Sequence, residues 1–214
     1  TNIRWDIQRR HAFLAGDVPE GWAKDLPAFP ADPKGEATRA AGGAVINALG
    51  EHYPWLVGGA CDLTPSTKTN LTFDGAGPFE AGSYGGRNLH FGVREHTMGS
   101  IANGMTLSGL RGYGATFLIV SDYMKPPIRL SALMELPTIW VFTHDSIGLG
   151  EDGPAHQPIE QLARLRAVPN LITLRPGDAN EVVEAWKVIA ALTDRPAALV
   201  LSRQAVPTLD RGVF

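Results

Sequence analysis

Short apolar runs recur along the chain, and between them apolar residues fall at helical spacing. "PWLVGGACDL", "NLHFGV", "GATFLIVS", "TIWVFTH", "NLITLRP" and "PAALVLS" each read as a strand. In "EATRAAGGAVINALGEHY", Ala41, Val45 and Leu49 keep helical spacing. "REHTMGSIANGMTLSG" puts Met98, Ile101, Ala102 and Met105 on one predicted face, and its small residues Gly99, Ser100 and Gly104 suit close approach of another helix. "KPPIRLSALMEL" holds a helix that Pro126 and Pro127 can open without interrupting. "QPIEQLARLRAV" and "DANEVVEAWKVIAAL" are further helices, the last with Asp178 as N-cap and Glu181 at capping-box spacing. Six buried strands separated by helices predict an α/β fold: a doubly wound, mainly parallel six-stranded sheet with helices on both faces.

Residues 1–35 break this rhythm. Pro19, Pro27, Pro30 and Pro33 punctuate them, and Trp5 and Trp22 supply the large apolar groups. They read as an extended Pro-rich connector that packs on a neighbour through its aromatics, or as a disordered tail, ahead of one domain over residues 36–214. At 214 residues and 44% hydrophobic, the chain has enough apolar material for a sizeable core. A net charge of −3 without like-charge blocks argues against a nucleic-acid surface. Cys61 is the only cysteine, which rules out an internal disulfide and a multi-cysteine metal site and fits a reducing, cytoplasmic compartment. No apolar run approaches the roughly 20 residues of a membrane helix, so no membrane contact is expected.

Ligands of open parallel sheets sit at the carboxyl ends of the strands. The residues there are Asp62, Glu95, Ser121 to Tyr123, His144, Pro176 and Arg203, and the long loops there are 64–87 and 145–158. "THDSIGLGEDGPAHQP" combines His144, Asp152 and His156 with Gly148, Gly150 and Gly153. Such a loop suits a polar substrate cleft; a hinge or a His/Asp/His metal site are the alternatives. Glu95 follows a strand near a helix start, where a carboxylate gains from the helix dipole, whether as a mere cap or as a working group. Phe117 and Tyr123 flank a strand end and suit a planar ring. Arg39 and Arg203, if they face one cleft, suit an anion such as a sugar phosphate.

Blocks quoted in order, "ACDLTPSTKTNL", "GRNLHFGVREHTMGSIANGM", "GATFLIVSDYMKPPIRLSALMELP", "VFTHDSIGLGEDGPAHQPIEQLARLRAVPNL", "LRPGDANEVVEAW" and "ALVLSRQ", resemble transketolase across residues 36–205. The part resembled is the central, pyrimidine-binding domain of that thiamine-diphosphate enzyme of the pentose phosphate pathway. The resemblance implies that Glu95 hydrogen-bonds a pyrimidine nitrogen and favours the imino tautomer, whose nitrogen takes the proton from the thiazolium carbon. It implies that Phe117 stacks on the pyrimidine with Tyr123 completing the pocket, that His156 lies near the amino group, and that Asp62 lies at the cofactor pocket and subunit contact. His144 and Asp152 would hold substrate hydroxyls, and Arg39, Ser66 and Arg203, with His144, the sugar's phosphate. Val120 stands where the family usually has a second aromatic wall residue, which predicts weaker cofactor contact by about 0.5–1.5 kcal/mol. Ala155 replaces a usual threonine and Cys61 a small residue.

The family's diphosphate and magnesium are held by a separate domain marked by Gly-Asp-Gly with a later Asn, and no such pair occurs in this sequence. The chain therefore reads as a central third of the family's length: a fragment, an isolated domain or one piece of a split enzyme. The resemblance implies a homodimer in which the partner subunit's diphosphate-binding domain completes the cleft. It also implies sugar phosphate substrates, no metal held by this chain, and little or no cofactor binding or activity by the chain alone, whose exposed half-interface favours self-association. Dihydroxyacetone synthase, which differs in acceptor, and a non-catalytic assembly or regulatory module are the rival readings; retention of Glu95, His144, Asp152 and His156 together argues against the second.

Overall fold

The structure, a computed structural model, describes residues 18–212. Its centre is a six-stranded sheet of β2 (Leu56–Ala60), β3 (Asn88–His90), β4 (Arg111–Phe117), β5 (Ile139–Thr143), β6 (Ile172–Leu174) and β7 (Ala197–Val200). The spatial order is β3-β2-β4-β5-β7-β6, and every neighbouring pair is parallel. Each strand of the predicted set is present.

The central strands alternate between two cores, as the two-residue strand period requires. Ile139, Val141, Ala197 and Leu199 join a core with Ala41, Val45 and Leu49 of α1 (Thr38–His52). Val182, Trp186 and Ile189 of a second helix, named below as α6, belong to the same core. Trp140, Phe142, Ala198 and Val200 face the other core. There they meet Met98 and Ala102 of α3 (Glu95–Leu107), Ile128 of α4 (Lys125–Leu133) and Leu165 of α5 (Gln161–Arg166). A short α2 (Thr64–Thr67) follows β2, and α6 spans Ala179–Ala191. Asp178 caps α6 through the Glu181 amide at 2.7 Å, while the Glu181 carboxylate reaches back to the Gly177 amide at 2.7 Å. That is a capping box displaced by one residue from the predicted pairing.

Three local expectations are corrected. Ile101 is exposed, because the buried arc of α3 turns toward Gly99, Asn103 and Thr106, where α4 packs. A Cβ on Gly99 would lie 2.6 Å from the Pro127 ring, so the close helix approach depends on that glycine; Gly104 faces open space and Ser100 is exposed. The run "GATFLIVS" does not stay extended: β4 ends at Phe117, and Ile119–Met124 form a 3-10 turn.

The remaining strands, β1 (Asp32–Ala37) and β8 (Ala205–Thr208), pair antiparallel in a separate ribbon. The Pro-rich segment before β1 lies on the chain's own core: Val18, Trp22, Leu26 and Phe29 pack against it. Both backbone groups of Phe29 bond the Asn180 side chain, at 3.1 and 2.8 Å. Trp5, and with it the reading of residues 1–17 as connector or tail, falls outside the described residues. No helix among the described residues is long and apolar enough to cross a membrane.

Candidate active site

The carboxyl ends of β2, β4, β5 and β7 converge on one polar edge. Phe117, the last residue of β4, is buried with its ring centroid 3.8 Å from that of His144 and 5.4 Å from that of His156. His144 follows β5 with φ 60°, in the left-handed region, and Asp62 follows β2 at φ 58°. Non-glycine residues hold that conformation only where surrounding structure enforces it, and such residues cluster at functional sites. The His144 ring is held on one side, Nδ1 against the Thr143 hydroxyl at 2.9 Å, and its Nε2 faces Asp152 Oδ2 at 3.6 Å, beyond hydrogen-bond distance.

The same Asp152 oxygen lies 3.3 Å from Arg203 Nε, and Arg203 Nη2 donates to the Glu151 carboxylate. Arg39, near the start of α1, donates from Nη1 to the Ser66 carbonyl at 2.8 Å. Burial holds its guanidinium below the usual arginine range, the nearby positive Arg203 adds to that, and Asp152 opposes it. Arg203, Asp152, His144, Phe117 and His156 thus form a continuous series of neighbours drawn from three strand ends and one loop, and the Arg39–Ser66 pair, from the start of α1 and from α2, lies within electrostatic reach of it.

Glu95 opens α3 and is 8% exposed, yet it makes no hydrogen bond or ion pair with any described residue. It lies within electrostatic reach of Cys61, as does Asp62. Burial pushes the Cys61 thiol up to about 11; a hydrogen bond from the Arg94 backbone opposes this, and the charges of Glu95 and Asp62 reinforce it. Cys61 therefore stays a thiol, 3.5 Å from the Met98 sulfur, and serves as filling. Of the buried side-chain polar atoms without a hydrogen-bond partner among the described residues, His156 Nδ1 is the one beside the Phe117 ring. No three His, Cys, Asp or Glu side chains among the described residues are grouped as around a metal ion.

Residues 34–208 match the model of the family described as "Transketolase, pyrimidine binding domain". The chain belongs to this family.

Transketolase of Geobacillus stearothermophilus is 54% identical over 197 residues, which is 92% of this chain and 29% of that protein. The enzyme of Bacillus subtilis is 51% identical over 201 residues, again 92% and 29%. Among solved structures, transketolase from Leishmania mexicana superposes with a TM-score of 0.89 at 40% identity, covering 94% of this chain and 30% of that one. A structure described as "Split gene transketolase, inactive beta4 tetramer" matches at a TM-score of 0.66 and 28% identity, covering 84% and 56%. The chain thus spans about 30% of the length of the curated transketolases it matches. These findings fit the transketolase reading and not the dihydroxyacetone synthase or non-catalytic module readings.

The structure does not place every named residue equally in this transketolase domain. Val120 is half-buried in the 3-10 turn after Phe117. Tyr123, at the far end of that turn, is 68% exposed and makes no ring contact with Phe117, so the expected closed aromatic wall is not formed within this chain. The turn itself is the cause: it carries Tyr123 outward where an extended strand would have kept it near the sheet edge. Two participants were not singled out from sequence, Thr143 and Glu151. Thr143 reads as the end of a core strand, and Glu151 as one more loop charge; only their adjacency to His144 and Asp152 marks them.

His144 carries a pH prediction. Burial, reinforced by Arg39, Arg203 and His156 and opposed by Asp152, lowers its pKa from 6.5 to about 4. The imidazole is neutral at pH 7, and the unfolded chain takes up this proton first as pH falls. Stability is therefore lost progressively between about pH 6.5 and 4. Imidazole nitrogen shifts should show His144 still neutral at about pH 5, and His144→Asn should remove this part of the pH slope; a His144 midpoint near 6.5 contradicts the assignment.

Proposed function

We propose that this chain supplies the pyrimidine-binding half of a thiamine-diphosphate site in a transketolase that moves a two-carbon ketol unit from a ketose phosphate to an aldose phosphate. The observation that carries the reading is His156 Nδ1, buried without a hydrogen-bond partner among the described residues, at the strand edge that holds the Phe117–His144–His156 rings. An unpaired buried polar group costs stability, so its partner is to be sought in a ligand. Glu95, at the start of α3 and without a hydrogen bond or ion pair to a described residue, adds an acceptor free to meet a ligand. A heteroaromatic ring with a ring nitrogen and an amino group can hydrogen-bond both His156 and Glu95, and Phe117 offers it an apolar wall.

When bound, thiamine diphosphate supplies the nucleophilic carbon that substrates of this class require. In this reading Glu95 hydrogen-bonds the pyrimidine nitrogen and holds or shares the proton there. His156 borders the amino group, and Asp62 borders the pocket and the subunit contact. His144, neutral and fixed by Thr143, and Asp152 take substrate hydroxyls. Arg39, Ser66 and Arg203 take the phosphate. The diphosphate and magnesium fall to the diphosphate-binding domain of a partner subunit in a cytoplasmic homodimer.

A direct test is reconstitution. The chain alone should bind thiamine diphosphate and magnesium weakly or not at all in calorimetry and show no ketol transfer; the inactive split-gene tetramer among its structural relatives supports this expectation. Mixed with a polypeptide carrying a transketolase diphosphate-binding domain, it should gain transfer activity. Micromolar cofactor binding by the lone chain, or no activity in a verified complex, contradicts the proposal.

A further inference from the structure

We propose that Glu151 is a built-in competitor for the anion site, occupying the Arg203 guanidinium until a substrate's phosphate displaces it. The inference rests on the phosphate-binding reading above and names what regulates that site. The Arg203 guanidinium meets two carboxylates of one loop: Nη2 donates to Glu151, and Nε lies 3.3 Å from Asp152 in an ion pair. The two acids are not equivalent. Asp152 sits deeper, its side chain 33% exposed and the same oxygen 3.6 Å from His144 Nε2. Glu151 has no second side-chain partner among the described residues, and its side chain is 77% exposed.

The loop is built to let Glu151 leave. Gly150 and Gly153 flank the acid pair with φ of 69° and 72°, and a Cβ at either would meet nothing within 4 Å. The chain can therefore repivot there without a side chain to clear. Arg39 lies close enough to Arg203 that each resists the other's charge, so two positive groups face one acid pair. A dianionic phosphate satisfies both guanidinium groups at once, whereas Glu151 reaches only Arg203. An unphosphorylated sugar offers no such exchange and leaves the Glu151–Arg203 pair in place. The competitor therefore lowers the affinity for phosphorylated sugars and leaves that for unphosphorylated ones untouched, so it narrows the difference between them and sets the phosphate concentration at which the site fills.

The test titrates inorganic phosphate into the full 214-residue chain, following the guanidinium resonances of Arg39 and Arg203 by NMR. Glu151→Gln keeps the side chain's size and should tighten phosphate roughly two- to fivefold, the range set by removal of an exposed ion pair. Glu184→Gln, which removes an equal charge from the exposed outer side of α6, should leave the affinity unchanged. Arg203→Gln should abolish saturable binding in either background. Equal or weaker binding by Glu151→Gln, or equal tightening by Glu184→Gln, overturns the competitor while the phosphate site stands. Unaltered binding by Arg203→Gln, or no saturable shift in the unchanged chain, overturns the phosphate site and the competitor with it.

Discussion

In a transketolase assembled around this domain, Glu95→Gln should lower kcat by about 100- to 10,000-fold, the range of a lost proton-handling group, with little change in KM for the sugar phosphate. Glutamine fills the same space and can still hydrogen-bond a ring nitrogen, but it cannot give or share a proton there. The native carboxyl makes no hydrogen bond or ion pair with a described residue, so its replacement breaks no internal contact and folding is expected to be retained. A merely capping Glu95 would behave differently: its loss would shift stability by about 0.3–1 kcal/mol through the helix dipole and leave kcat intact. Single-turnover kinetics on a variant with unchanged melting behaviour separate the two.

The second large effect concerns charge. Arg39→Gln and Arg203→Gln should each raise KM for phosphorylated donors about 10- to 100-fold, the worth of a hydrogen bond to a charged group. They should leave kcat and the use of unphosphorylated ketol donors nearly unchanged, because the lost interaction is made equally in ground and transition states. The two guanidinium groups feel each other and Asp152, so their effects are not expected to add. His144 brings no charge to this anion at neutral pH, since its pKa is lowered to about 4. Raised KM for phosphorylated and unphosphorylated donors alike would place the arginines in general loop anchoring instead.

The parallel sheet was legible because its strands are continuous apolar runs, and a run such as Ile139–Thr143 has few other ways to be buried. The β1–β8 ribbon was not, because "DPKGEA" and "AVPT" carry neither apolar alternation nor a hairpin turn between them, and their pairing is fixed only by distant packing. The position of Ile101 depended on where α4 crosses α3, a tertiary fact that helical spacing alone does not hold. At the candidate site, the strand-end rule led to Asp62, Glu95, His144 and Arg203, since topology alone puts such residues on one edge. Which groups pair was hidden: the Asp152 oxygen shared by His144 and Arg203, and the hold of Glu151 on Arg203, arise from how a glycine-rich loop folds back. The outward turn of Tyr123 was hidden for the same reason, because an apolar run does not announce where its extended backbone ends.

The most direct measurement is a crystal structure of the assembled enzyme with thiamine diphosphate bound. It should show the Glu95 carboxyl within about 2.6–3.2 Å of a pyrimidine nitrogen, with the Phe117 ring against the pyrimidine face and His156 beside its amino group. A pyrimidine seated elsewhere, with Glu95 turned to solvent or satisfied by a protein group, would contradict it.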